Sequence, residues 1–384
     1  MRGVAILGCT GSIGRSALAV LNRHRDEFRV VALAAHRSAP ELATLCAEHR
    51  PALAALVDED CLNGTSFNGV QLATGRAALL EAATHPDADI VINAVVGAAG
   101  LDATLAALNA GKRLALANKE SLVAGGPLVL EALRRGGGEL IPIDSEHSAI
   151  LQCLAGIDRD TVQRLVLTAS GGPFRDWPAA ALGSATPEQA LQHPTWDMGA
   201  KITIDSATLA NKALEVIEAH FLFDMPYERI EAVVHPQSII HSMIETADGS
   251  VLAQLGFPTM ELPILYALTW PERRADTGTR RFDPVTAGPL TFERIDDRRF
   301  PMFSLGCAAG REGGTAPAVY NAANEIAVAG FLAGHIPFGG IAETVERVLA
   351  QHVPARVDSV ETIHAADQAA RAAAEEALKA SWMS

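Results

Sequence analysis

Through the first third of the chain, short apolar runs recur between amphipathic stretches, at residues 4–7, 30–34, 54–57, 90–95, 114–117 and 140–143. This rhythm predicts a series of βαβ units and therefore a parallel sheet with helices packed on it. Beyond residue 143 the regular alternation fades. Residues 165–168, 232–234, 239–244 and 251–255 predict strands of a second sheet. Between them lie a loop-like stretch punctuated by Pro178, Gly183, Pro187, Pro194 and Gly199 and a predicted helix over 207–220. Residues 273–299 turn polar and Pro/Gly-containing, as a linker would, and from Pro301 onward alanine-rich helical spacing continues to the end.

A length of 384 residues implies more than one domain. Hydrophobic residues at 49% and charged residues at 20% fit ordinary globular usage. A formal net charge of -14 disfavours nucleic acid and anionic membranes as partners, so an anionic substrate would need a locally basic site. The five cysteines, Cys9, Cys46, Cys61, Cys153 and Cys307, are scattered and form no CxxC pair. Neither a disulfide framework nor a zinc site is expected, and a reducing cytoplasm fits best. The start has no signal-peptide pattern, and no apolar stretch is long enough to span a bilayer.

Gly8-Cys9-Thr10-Gly11-Ser12-Ile13-Gly14 follows the first predicted strand and opens a helix. In that setting Gly8 allows a tight turn, Gly11 lets the backbone approach a pyrophosphate, and Gly14 lets the helix pack on the sheet. Thr10, Gly11, Ser12 and Ile13 are therefore candidate dinucleotide contacts. The spacing is GxxGxxG, unlike the usual GxGxxG, and is compatible with NADP. The second predicted strand ends in His36-Arg37-Ser38 without the acid that would hold an NAD ribose, so Arg37 and Ser38 favour the 2′-phosphate of NADPH.

Asp144-Ser145-Glu146-His147 stands at the carboxyl end of the last predicted strand of the first domain, where open α/β sheets place ligand chemistry. Extended backbone would put Asp144 and Glu146 on one side, suited to a hard divalent cation with a third carboxylate from Glu215 or Glu218. Alternatively both are the N-cap and first turn of a following helix. The run from Lys201 to Glu215 reads as a strand end feeding a helix. Ser206, Asn211 and Lys212 near the helix start suit a phosphate monoester, although Lys212 and Glu215 would also make an ordinary surface pair. Ser170-Gly171-Gly172-Pro173 can offer a hydroxyl and backbone amides. Bulky residues in the loop His193-Pro194-Thr195-Trp196-Asp197-Met198-Gly199 suggest a lid, or else simple core packing by Trp196 and Met198.

Laid in order, these segments closely resemble the 1-deoxy-D-xylulose 5-phosphate reductoisomerase family. The motifs that carry the resemblance span nearly the whole chain: GCTGSIG, Ala117-Asn118-Lys119-Glu120-Ser121-Leu122, PIDSEHSAI, TASGGPF, HPTWDMG, KITIDSATLANKALEVIEA, HPQSIIHS and Asn321-Ala-Ala-Asn324-Glu325. The resemblance implies an α/β chain with an N-terminal Rossmann-like parallel-sheet domain for NADPH (1–143) and a central α+β catalytic and metal-binding domain (144–275). A linker (276–300) and a C-terminal helical domain (301–384) follow. It implies that Asp144, Glu146 and Glu215 hold Mg²⁺, Mn²⁺ or Co²⁺. Ser170, Ser206, Asn211 and Lys212 would take the substrate phosphate, and Ser145 its hydroxyls. His193, Trp196 and Met198 would form a flap over about 193–201, Lys119 would lie near the nicotinamide, and Asn118, Glu120 and Gly199 would join the cofactor contacts. His241 matches a family histidine near the site. The activity implied is NADPH-dependent rearrangement and reduction of a sugar phosphate by a homodimer. Asp197, Ala210, Ala213 and the stretch from Gly256 to Glu261 depart from the family pattern, and Asp197 adds a negative charge to a loop expected to cover a phosphate.

Overall fold

The computed structural model describes residues 1–196 and 198–382 and divides into two compact units. The first comprises Met1–Ser121, Pro127–Ser148 and Thr259–Arg280. Seven parallel strands form its sheet: β1 (Arg2–Leu7), β2 (Phe28–Ala35), β3 (Leu53–Leu56), β4 (Gln71–Thr74), β5 (Ile90–Asn93), β6 (Arg113–Leu116) and β7 (Glu139–Pro142). Their order is β4-β3-β2-β1-β5-β6-β7. Helices on the sheet explain why β1, β3 and β5 are continuous apolar runs and not alternating ones: Val4 to Leu7, Leu53 to Leu56 and Ile90 to Ile92 are all buried. β4 has no such signature. Its Gln71-Leu72-Ala73-Thr74 is a half-exposed edge strand, and the apolar pattern does not reveal it.

The strand order reverses direction at β1, which lies between β2 and β5, so the loops leaving the carboxyl ends of these strands surround a crevice. Segment 259–280 is tied to the helix Ser12–Arg23 through Arg23, whose guanidinium meets Glu261 at 2.6 Å and Asp276 at 2.7 Å.

The second unit comprises Leu122–Gly126, Ala149–Pro258 and Arg281–Ser384. Its mixed sheet contains β8 (Val162–Ala169), β9 (Ile230–Val234), β10 (Ile240–Thr246), β11 (Val251–Leu255) and β12 (Glu293–Arg294), in the order β11-β10-β8-β9-β12. β8 and β9 are parallel and the other pairs antiparallel. β12 is only two exposed residues long and lies in the polar stretch the sequence reads as linker.

The alanine-rich region forms helices Pro301–Glu312, Ala316–Leu332, Phe338–Gln351 and Val360–Trp382. Tyr320 and Phe331 on the second of these helices are fully buried; the ring of Phe174, from the turn after β8, packs edge-on against Phe338 at 5.0 Å, and the Tyr320 hydroxyl donates to the Met302 carbonyl at 2.8 Å.

Two local readings are corrected. Residues Lys201 to Asp205 are not a strand end: they lie in a helix, Ala200–Thr208, despite the alternating Ile202 and Ile204. The helix expected over 207–220 is interrupted at Leu209, whose φ of 59° places it in the left-handed region, and resumes as Ala210–Phe223. The break faces the second helix's first turn in a new direction, and that turn carries Asn211 and Lys212.

Candidate active site

In the first unit the glycine turn behaves as its chemistry requires. Gly8 has φ 83°, and a Cβ on Gly14 would sit 2.4 Å from the Gly8 carbonyl oxygen, so neither position accepts a side chain without displacement. Gly11 is the N-cap of helix Ser12–Arg23, with no side chain capping it, which leaves the amides at the helix start facing outward. Arg15 ties the turn by donating from Nε to the Thr10 carbonyl at 3.0 Å.

At the end of β2, Arg37 is exposed and donates from Nε to Asp58 at 2.8 Å, and Ser38 stands at the N-cap position of helix Ala39–His49 without a capping hydrogen bond from its side chain. The same edge receives Asn118, the N-cap of helix Lys119–Gly136. Its amide is occupied structurally: Oδ1 accepts from the Ser121 amide at 3.0 Å, and Nδ2 donates to Val95 O, Gly97 O and Glu120 Oε2 at 2.8, 3.1 and 2.7 Å. Asn118 thus fixes the loop after β5. Sequence reasoning missed its counterpart Asn93, fully buried at the end of β5, which donates to Gly100 O and Thr104 Oγ1, both at 2.9 Å.

After β7, Asp144 caps the helix Ser145–Cys153: the Ser148 amide donates to its carbonyl at 2.8 Å and the Glu146 amide to its Oδ1 at 3.3 Å. Of the two readings of Asp144 and Glu146, helix cap and first turn is the local geometry. The cap does not exhaust the carboxylate, because Oδ2 is paired with the Lys119 ammonium. Burial pushes the Asp144 carboxyl up. The Lys119 ammonium and His147, with hydrogen bonds from Lys119 and Glu146, outweigh that and hold it well below the usual carboxylate range. Asp144 is therefore ionised at neutral pH, and Ser145 hydrogen-bonds through its hydroxyl to Glu146.

In the second unit, the turn after β8 contains two successive left-handed glycines, Gly171 (φ 81°) and Gly172 (φ 68°). A Cβ on Gly172 would lie 2.6 Å from the Ser206 carbonyl oxygen. That close approach brings Ser170 and Ser206 to a common partner: His193 Nε2 lies 3.0 Å from Ser170 Oγ and 3.1 Å from Ser206 Oγ. Nδ1 of the same ring accepts from the amides of Thr195 and Trp196 at 3.1 and 2.9 Å. With its lone pair engaged there, Nδ1 carries no proton, so the neutral ring is protonated on Nε2 and donates toward the serines. Burial, with a contribution from Arg175, lowers the imidazole to about 4 and keeps it neutral.

Trp196 and Met198 are half-buried, Gly199 is the N-cap of Ala200–Thr208, and Asp197 lies outside the described residues. His241 is buried on β10, and its backbone carbonyl accepts from Thr168 Oγ1 at 2.8 Å.

Beyond Leu209, one carboxylate organises the first turn of Ala210–Phe223. Glu215 accepts from Asn211 Nδ2 on Oε1 and from Lys212 Nζ on Oε2. Lys212 and Glu215 are 3% and 1% exposed, which rules out the solvated surface pair the spacing alone would allow. Glu218, the alternative acid, is buried on the same helix.

Two supports for this region are far apart in sequence and went unrecognised. Buried Asp205 accepts from Lys201 at 2.6 Å and from Asn324 at 2.8 Å, and so connects the helix carrying Ser206 to the Asn321-Ala-Ala-Asn324-Glu325 segment. Arg299 donates from Nη2 to the carbonyls of Phe174, Arg175 and Trp177 at 3.0, 2.7 and 2.7 Å, clamping the chain just after the glycine pair.

Family models match in three stretches: 1-deoxy-D-xylulose 5-phosphate reductoisomerase over residues 4–126, its C-terminal domain over 140–223, and the DXP reductoisomerase C-terminal domain over 255–373. The 1-deoxy-D-xylulose 5-phosphate reductoisomerase of Symbiobacterium thermophilum is 52% identical, covering 98% of this chain and 98% of its own. That of Pseudomonas aeruginosa is 48% identical over 97% and 96%. Among solved structures, the Zymomonas mobilis enzyme in complex with NADPH superposes with a TM-score of 0.92 at 46% identity, over 98% of this chain and 99% of that one. A DOX-P reductoisomerase in complex with NADPH, fosmidomycin and magnesium gives 0.92 at 40% identity, over 99% and 98%.

Proposed function

The chain belongs to the 1-deoxy-D-xylulose 5-phosphate reductoisomerase family, and from that premise we propose how its residues divide the work. The protein converts 1-deoxy-D-xylulose 5-phosphate to 2-C-methyl-D-erythritol 4-phosphate with NADPH and a divalent cation, in non-mevalonate isoprenoid precursor biosynthesis. Thr10, Gly11, Ser12 and Ile13 present the helix start to the NADPH pyrophosphate, and Arg37 with Ser38 takes the 2′-phosphate. Asn118, Glu120 and Gly199 complete the cofactor contacts, and Lys119 stands by the nicotinamide.

Asp144, Glu146 and Glu215 are the proposed metal ligands, and their chemistry fits. All three offer hard oxygen donors, and Asp144 is held ionised. When bound, the cation supplies Lewis acidity to the ketone and its neighbouring hydroxyl. The chain's own residues do the rest. Ser170, Ser206, Asn211 and Lys212 anchor the phosphate, whose binding energy aligns the reacting carbons. Ser145 orients a substrate hydroxyl, and His193, Trp196 and Met198 exclude water when the flap covers the site.

The observation that carries the phosphate assignment is His193 bridging Ser170 and Ser206, which brings two hydroxyls from separate elements to one polar point. A hydroxy-acid dehydrogenase would have no use for that cluster. The reading is tested with Glu215→Gln: turnover of the sugar phosphate falls by at least about a thousandfold while NADPH affinity stays unchanged. Full activity in that variant removes Glu215 from the metal site.

No helix of the described residues is long and apolar enough to cross a membrane, and a cytoplasmic location is part of this proposal. So is a homodimer. A depression on the second sheet is lined by Val166, Val233, Met243, Val251 and the adjoining Phe292 together with Arg164, Glu231, Glu245 and Arg294, with Val251 55% and Phe292 43% exposed. Sedimentation at twice the monomer mass, lost on Val251→Lys with Phe292→Lys, supports a dimer through this face. A monomeric wild type contradicts it.

A further inference from the structure

In the first unit the ends of β2 and β3 are locked to the glycine turn by backbone. The Gly8 and Cys9 amides both donate to the Ala34 carbonyl at 2.9 Å, and the Val57 and Asp58 amides donate to the carbonyls of Ala35 and His36 at 3.0 and 2.9 Å. Arg37 therefore leaves a fixed point of the chain, and so does Asp58, which stands at the N-cap of the short turn Glu59–Leu62. The Asp58 carbonyl accepts from the Cys61 amide at 3.2 Å, and its carboxylate accepts from the Cys61 thiol as well as from Arg37 Nε. The Arg37 side chain is 70% exposed and that of Asp58 23%. The carboxylate is thus the anchored member of the pair, and the guanidinium the one that gains an anchor.

We propose that Asp58 is a positioning residue that sets the preference for NADPH over NADH: its carboxylate holds the Nε edge of Arg37, so that the Nη1 and Nη2 fork is offered to a 2′-phosphate in one orientation. This rests on the reading of Arg37 as a 2′-phosphate ligand.

A guanidinium binds phosphate best through two parallel N–H bonds, which demands that its plane be correctly oriented. An exposed arginine gives up rotamer freedom to make those bonds. Here part of that loss precedes nucleotide binding, because Nε is bonded to Asp58 while, among the described residues, Nη1 and Nη2 have no hydrogen-bond partner. The Arg37 guanidinium holds the Asp58 carboxyl below the usual carboxylate range, so the pair is ionised at neutral pH. An acid that meets the ribose directly favours NADH, since it accepts from the 2′-hydroxyl and repels a 2′-phosphate. Asp58 acts through Arg37 and so serves the opposite preference. Positioning and plain repulsion therefore differ in sign: deleting the carboxylate loosens NADPH if it anchors Arg37, and tightens NADPH if it only repels the phosphate.

The test titrates the whole protein with NADPH and with NADH by fluorescence, without sugar phosphate or metal, so that nothing turns over. Asp58→Ala is expected to raise the NADPH dissociation constant about threefold, the range of an exposed ion pair, and to leave that of NADH unchanged. Asp58→Asn keeps the shape of the turn and a neutral acceptor for Nε, and its NADPH affinity is expected to lie between those of wild type and Asp58→Ala. In an Arg37→Ala background, Asp58→Ala is expected to change neither nucleotide, because the residue through which it acts is gone.

The positioning role is overturned if either Asp58 variant binds NADPH as tightly as wild type or more tightly, since the carboxylate would then be neutral or repulsive. It is also overturned if Asp58→Ala weakens NADPH and NADH equally, as a merely structural turn residue would, or if its threefold effect persists in the Arg37→Ala background. Failure of the underlying reading is a different result, seen in the single variant Arg37→Ala: NADPH affinity unchanged, or lost in step with that for NADH.

Discussion

The two units offer ligands in different ways. In the first, the proposed cofactor contacts are largely backbone: a glycine turn after β1, uncapped amides at a helix start, and loops fixed by Asn93 and Asn118. In the second, they are side chains held by other side chains: His193 between two serines, Glu215 between an amide and an ammonium, Asp205 between Lys201 and Asn324. A backbone site is vulnerable to added volume, because its amides are placed by steric fit. A side-chain site is vulnerable to loss of charge, because each buried ion depends on its partner.

The sharpest break of this contrast is a methyl group in the first unit. Gly14→Ala puts a Cβ 2.4 Å from the Gly8 carbonyl oxygen. It is expected to weaken NADPH binding by about a hundredfold, near the upper end of overpacking costs. Affinity for the sugar phosphate should be spared. Fluorescence titration of NADPH measures the first and methyl phosphate calorimetry the second; equal losses in both would erase the distinction.

The mirror experiment removes charge from the second unit. Lys212→Ala should raise KM for the sugar phosphate by about thirtyfold, the worth of a charge-assisted hydrogen bond, with NADPH affinity unaffected. An unchanged KM would take Lys212 out of the phosphate site.

A smaller effect is expected at Arg37, the exposed cation of the first unit. Arg37→Ala should raise KM for NADPH by about fivefold and leave KM for NADH alone, as suits a surface ion contact. Equal shifts for the two nucleotides would mean that Arg37 does not read the 2′-phosphate.

The smallest concerns pH. His193 has its imidazole lowered to about 4 by burial and by Arg175, against about 6.5 when unfolded. Below the unfolded value the unfolded chain binds the extra proton first. The contribution of neutral His193 is therefore full above about pH 6.5 and is lost as pH falls toward about 4. The difference in denaturation midpoint between wild type and His193→Gln should shrink across that window; a constant difference would show that the ring is not held neutral.

The first unit was far more legible in the sequence than the second, for a physical reason. Parallel strands covered on both faces must be apolar throughout, so β1, β2, β3, β5, β6 and β7 announce themselves, whereas the half-exposed edge strand β4 and the two-residue β12 carry no such mark. Lys201 to Asp205 reads as a strand because Ile202 and Ile204 alternate, yet tertiary contacts of Asp205 with Asn324 fall on a helix. The break at Leu209 leaves no compositional trace, since leucine rarely adopts a left-handed conformation. The chemistry-bearing residue types were visible as short motifs. Their supports were not: Asn324 is 119 positions from Asp205, and Arg299 is 122 to 125 from the carbonyls it clamps.

The most direct test of the central claim, a metal-dependent rearrangement followed by reduction with NADPH, is a single absorbance trace. Purified protein stripped of metal is mixed with 1-deoxy-D-xylulose 5-phosphate and NADPH, and Mg²⁺ is then added. The account predicts a flat trace before the addition and stoichiometric loss of reduced-nicotinamide absorbance after it, with 2-C-methyl-D-erythritol 4-phosphate as product. Absorbance that stays constant after Mg²⁺, or falls equally without it, would contradict the account.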